Sequence, residues 1–146
     1  MLRRLGGPVK NRWLVCLWIF ALGAMCSAAQ SGAGRSKPGE QFLGTWIGTW
    51  DGSGTGGFEL TLEKDKDGAI GGRVSVTGEP TYKATLRTLT FDGKKMTASY
   101  DFPPDPAGEV RLATTFDGST ATGTWSLHEK ATGNEVAAGG WKVTKK

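Results

Sequence analysis

Large apolar residues recur at every second position in short runs between Phe42 and Val143. Turn residues interrupt the runs at a spacing of about 8–12 residues, the rhythm of an all-β barrel or sandwich, and no run sustains a helical period. In the first run Phe42, Gly44, Trp46, Gly48 and Trp50 share one face, while Thr45, Ile47 and Thr49 share the other. Phe58, Leu60 and Leu62 then alternate with Glu59, Thr61 and Glu63, and Ile70, Val74 and Val76 with Gly71, Arg73 and Ser75. The fourth run, Thr81 to Phe91, changes parity. Tyr82, Ala84 and Leu86 lie on one side and Leu89 and Phe91 on the other, which predicts a bulge at Arg87 or Thr88. Met96, Ala98, Tyr100 and Phe102 open a fifth inner face, and Val110, Leu112, Thr114 and Phe116 a sixth. Ala121, Gly123, Trp125 and Leu127 form a seventh, and Ala137, Gly139, Trp141 and Val143 an eighth. Eight such strands predict an antiparallel up-and-down barrel, the strand count at which side chains fill the interior or leave room for one small ligand.

The connections fall into two classes. Asp65 to Gly68, Asp92-Gly93-Lys94 and Asp117-Gly118-Ser119 are tight Asp-Gly turns of the hairpin kind. Asp51 to Gly56, Gly78 to Pro80, Pro103 to Gly108 and Lys130 to Asn134 are longer or less regular. Alternate connections of an up-and-down barrel lie at opposite ends, so one end is closed by hairpins and the other carries the loops, where binding usually sits. The order along each strand places Trp46, Leu62, Ile70, Met96, Phe116 and Trp141 toward the tight end. Trp50, Phe58, Val76, Tyr82, Tyr100, Val110 and Leu127 belong toward the loop end.

What precedes the alternating region changes the picture of charge and redox chemistry. Arg3, Arg4, Lys10 and Arg12 lead into an apolar run from Trp13 to Met25, followed by Cys26, Ser27, Ala28 and Ala29. A basic start, a short apolar core and small residues predict a secretory signal over 1–29, cleaved after Ala28 or Ala29. A retained membrane anchor is the alternative, and lipidation at Cys26 is disfavoured by Met25 before it. Residues 30–41 then read as a flexible linker and 42–144 as the barrel domain. Four of the 18 basic residues lie in the signal and all 14 acidic residues follow it, so the mature chain is balanced in charge. Nucleic acid or an anionic membrane surface thereby loses its electrostatic support as a partner. Both cysteines, Cys16 and Cys26, are in the signal, so the mature protein is expected to have neither disulfide nor thiol chemistry. The expected product is an exported monomer, periplasmic or secreted, with no membrane span after cleavage.

A Gly-x-Trp motif, Gly44-Thr45-Trp46, opening a secreted eight-stranded meander resembles the calycins, the group that contains lipocalins and avidins. With Asp67-Gly68-Ala69-Ile70-Gly71-Gly72 it looks most like the first strands of avidins. The resemblance implies the barrel and not biotin, because the positions of the avidins' polar biotin contacts fall near Gly48 and Gly52, which offer no side chain.

Candidate chemistry points away from an enzyme. His128 is the only histidine, and no mature cysteine accompanies it, so a Cys/His metal site cannot be assembled and no cofactor is implied. Glu59 and Glu63 form a carboxylate pair on the polar face of a strand, beside Lys64 and Arg73, and read as a solvated wall rather than a glycosidase pair. Asp65 to Gly68 lacks the continuing ligand spacing of a calcium loop. Trp46, Trp125 and Trp141 are expected to pack against Gly44, Gly123 and Gly139 as core. Trp50, Tyr82 and Tyr100 sit near the mouth, where an aromatic with a polar tip serves either packing or a ligand. Phe102 and Pro104 belong to a proline-stiffened loop at the same end. Two functions lead, with catalysis left as a third possibility: a binding module taking a small apolar or aromatic ligand, or a short peptide, at the loop end, and a solid barrel whose loops contact a partner protein as an interaction or inhibitor domain.

Overall fold

The computed structural model describes residues 36–146; the predicted signal over 1–29, with Cys16 and Cys26, and residues 30–35 of the linker lie outside the described residues. A single 3-10 turn, Glu40–Phe42, leads into nine strands. They are β1 (Gly44–Asp51), β2 (Thr55–Lys64), β3 (Ile70–Val76), β4 (Tyr82–Thr85), β5 (Thr88–Asp92), β6 (Lys95–Asp101), β7 (Gly108–Asp117), β8 (Thr120–Glu129) and β9 (Glu135–Lys145). All belong to one sheet of order β4-β3-β2-β1-β9-β8-β7-β6-β5, every ladder antiparallel. The all-β up-and-down architecture is therefore the one the alternation predicts.

Nine strands stand where eight were expected because the fourth run is divided at its change of parity. The Leu86 amide donates to the Gly72 carbonyl, next to β4 on β3, at 2.9 Å, and the Arg87 amide donates to the Ser99 carbonyl on β6 at 2.7 Å. Two consecutive residues thus reach the two opposite ends of the sheet order, and the sheet must curl until β3 and β6 come within the span of one dipeptide. The result is a curled, barrel-like sheet in which no ladder joins β4 to β6.

The inner face is the predicted one. Trp46, Leu60, Leu62, Val74, Met96, Phe116 and Val143 are buried, and each has the inward parity of its strand. The tight end is sealed from within. Phe42 stacks on Phe116 with ring centroids 4.1 Å apart and planes 12° apart, and the Trp46 Nε1–H donates to the Phe42 carbonyl at 2.9 Å. Residues 37–41 also touch the domain: Glu40 pairs with Lys64 at 2.6 Å, and the Lys37 ammonium donates to the Gly68 carbonyl at 3.1 Å. At the hairpins, Gly93 and Gly118 adopt φ of 59° and 60°, the left-handed conformation that the Asp-Gly turns were expected to need.

The glycine and tryptophan repeats work as expected in kind, with different partners. Trp50 lies opposite Gly56, Trp125 opposite Gly139, and Trp141 opposite Gly123. A Cβ at those glycines would stand 2.7 Å from the Trp50 Nε1, 2.7 Å from the Trp125 Nε1 and 2.8 Å from the Trp141 ring. Bare backbone is what lets each indole lie across the neighbouring strand. Two of the indoles reach beyond it, Trp50 Nε1–H to the Thr77 carbonyl at 3.0 Å and Trp125 Nε1–H to the Asp51 carbonyl at 2.7 Å. Trp46 departs from the expectation, since it sits opposite Leu60 and packs edge-on against Phe116 rather than over Gly44. Trp141 is also higher than expected. It is in register with Trp50 and lies 4.7 Å from Phe58, because β9 continues past β1 on the loop side and distance from a strand's end does not measure height in a staggered sheet.

Candidate functional site

A cavity of about 90 Å³ opens at the loop end. Trp50 on β1, Phe58 on β2 and Val76 on β3 form one side of it, and Tyr100 on β6, Val110 on β7 and Leu127 on β8 the other. Tyr82 completes the ring, so all seven residues that strand order places toward the loops line this space. Trp125, Phe102 and Ala137 fill the gaps between them, and Ser53, Glu79 and Pro80 stand on the loops above. Sealing of the opposite end by Phe42 and Phe116 explains why the space lies here.

Ring geometry gives the cavity its walls. Trp50 and Trp125 meet edge to face, centroids 5.8 Å apart and planes 83° apart, and Tyr82 and Phe102 do the same at 5.4 Å and 87°. The Tyr82 and Tyr100 hydroxyls bond to each other at 2.9 Å. Burial pushes both phenols above their ordinary pKa, so the pair stays neutral across the physiological range. Both indole N–H groups are spent on backbone carbonyls, so Trp50 and Trp125 present ring carbon to the interior. Among the described residues Glu79 is the one charged residue of the lining.

Four of the five residues singled out from the sequence, Trp50, Tyr82, Tyr100 and Phe102, meet around this cavity. Pro104 does not line it and is exposed in the connection between β6 and β7. That connection is nonetheless held firmly: the Lys130 amide donates to the Ala107 carbonyl at 2.8 Å and its ammonium to the Pro106 carbonyl at 2.9 Å. Lys130 also pairs with Asp101, which pairs in turn with Arg87. These two cations, Lys130 first, hold the Asp101 carboxyl below its ordinary pKa. The sequence reading missed Trp125 and Glu79 as lining residues. Trp125 carried the signal, since it shares inward parity with Leu127; Glu79 carried none, because a loop residue's direction has no periodicity to reveal it.

The other candidate groups are engaged locally. His128 Nδ1 faces the Gly133 carbonyl at 3.1 Å and donates to it, and Nε2 is hydrogen-bonded with the Ser126 hydroxyl at 2.9 Å. Glu63 is paired with Arg73 at 3.0 Å on the outer wall. Asp65 caps its own turn, its carboxylate accepting the Asp67 and Ala69 amides at 2.8 and 2.9 Å. No group of three or more His, Cys, Asp or Glu side chains is gathered as a metal site among the described residues. Nor is any helix among them long and apolar enough to cross a membrane.

No protein-family model matches the chain, and neither the curated proteins nor the solved structures hold a significant match to it. The curled antiparallel sheet is compatible with a calycin-like fold.

Proposed function

We propose that this chain is an exported, non-enzymatic binding module of calycin type that takes a small apolar or aromatic ligand at its loop end. The observation that carries this reading is the cavity of about 90 Å³, walled by aromatic rings and placed at the end that bears the irregular loops. Binding sites are characteristically concave and mostly apolar with a few polar groups, and here the polar groups are the tyrosine hydroxyl pair and Glu79. A volume of about 150 Å³ holds benzene, so this space suits a group of about three or four heavy atoms, with the rest of the ligand in the mouth. Export follows from the basic and apolar N-terminal segment, and mass spectrometry of exported material starting at Ala29 or Gln30 would support it.

The test is a titration with phenol and with indole, repeated on Tyr100→Phe, Tyr82→Phe and Pro104→Gly. Weaker binding in the tyrosine variants alone supports the cavity. A second reading, a protein-interaction or inhibitor domain, draws support from the small size of the cavity and from the firm anchoring of the 102–107 connection by Lys130. Loss of a partner protein's binding in Pro104→Gly alone would favour that reading.

A further inference from the structure

We infer that the cavity recognises the methylated ammonium head group of a small organic cation, a proposal that rests on the binding-module reading and names its ligand class. Two features of the cavity point the same way, and a third sets how deeply the group enters. The first is its walls. A cation without N–H donors is held by the faces of aromatic rings, and rings set at right angles surround it on several sides. Trp50, Trp125, Tyr82, Tyr100 and Phe102 all line the space, and the two perpendicular pairs, Trp50 with Trp125 at 83° and Tyr82 with Phe102 at 87°, give it aromatic walls in more than one direction. The N–H of each indole is already bonded to a carbonyl, so neither competes with the ring faces for the ligand.

The second feature is charge. Glu79 is acidic, and among the described residues no lysine or arginine lines the cavity. An anionic ligand would meet an uncompensated carboxylate, whereas a cation would be attracted to it as well as to the rings. A neutral apolar ligand would gain nothing from it. The third feature is size. The space of about 90 Å³ takes about four heavy atoms, so a tetramethylammonium-like group enters only in part, and the rest of it lies in the mouth with the tail.

The test compares choline with 3,3-dimethylbutan-1-ol, the same shape with carbon in place of the charged nitrogen. Titrations are read by calorimetry on the protein and on Glu79→Gln, whose site is exposed and is not part of the core. Choline is expected to bind at least five-fold more tightly than the neutral isostere, and Glu79→Gln to weaken choline severalfold while leaving the isostere unchanged. Equal or tighter binding of the isostere overturns the cation proposal and leaves the apolar-ligand reading standing. Failure of both probes, and of phenol and indole, overturns the two together. Phosphatidylcholine vesicles distinguish the source of the head group: binding that free choline competes supports the lipid form, and binding of choline without vesicles supports the free small molecule. Vesicle binding that choline leaves unaffected overturns the lipid form.

Discussion

Trp46 and Trp50 are two residues apart on one face of β1 and have different jobs. Trp46 is fully buried against Phe116, whereas Trp50 is a wall of the cavity. Trp46→Ala should cost about 3–5 kcal/mol in urea melts, and Trp50→Ala distinctly less because its surroundings already include open space. Equal losses would show that the two ends of the barrel are packed alike. Thr114 offers a gain instead. Its hydroxyl is buried with no hydrogen-bond partner, so the isosteric Thr114→Val should stabilise the fold by about 1 kcal/mol; a destabilised variant would mean the hydroxyl is satisfied in solution. At this scale the sequence was legible wherever alternation applied, which is why the buried inner residues could be named in advance. It failed for Glu79, whose position depends on a loop, and for the Trp and Gly partners. Parity reveals which side of the sheet a tryptophan faces, but only the register reveals that Trp125 lies over Gly139 and Trp141 over Gly123.

Among the elements, the Asp-Gly hairpins and the joint between β4 and β5 were the most legible. A change of parity inside one run has few physical solutions, and here the chain switches its partner strand at Leu86 and Arg87 instead of bulging within a single ladder. Gly93 and Gly118 have left-handed φ and open space where a Cβ would stand, so the whole cost of Gly93→Ala or Gly118→Ala is conformational, about 1–2 kcal/mol. Asparagine at either position should cost less than alanine in the same melts. Equal costs for alanine and asparagine would mean that something other than φ is limiting. The loop-end connections are tied by Asp101, Arg87 and Lys130. The Asp101 pKa is lowered in the fold, so its ion pairs favour the native arrangement above the ordinary aspartate range and are lost as pH falls through the lowered value. Carboxyl NMR should therefore show Asp101 titrating below ordinary aspartates and moving back up in Lys130→Met. An Asp101 that titrates normally in both would show that these pairs do not persist in solution.

For the molecule as a whole, two kinds of turn separate an end that is plugged from an end that opens. Phe42, Phe116 and Trp46 fill the hairpin end, and the cavity lies where Trp50, Tyr82, Tyr100 and Phe102 approach the loops. That polarity could be read from the sequence because connection lengths alternate along the chain. How much space would remain could not, because it depends on how far the sheet curls and on the stagger that lifts Trp141 beside Phe58. The proposal is that this end binds ligand and that the rest of the curled sheet is scaffold. It is tested most directly by following the indole N–H signals of four of the six tryptophans, Trp46, Trp50, Trp125 and Trp141, in a nitrogen-15 NMR titration with a bound ligand, choline or phenol. The Trp50 and Trp125 signals should shift with saturation while Trp46 stays in place. Shifts confined to Trp46, or to the outer-wall amides around Glu59, Glu63 and Arg73 with all four indoles unmoved, would contradict the account.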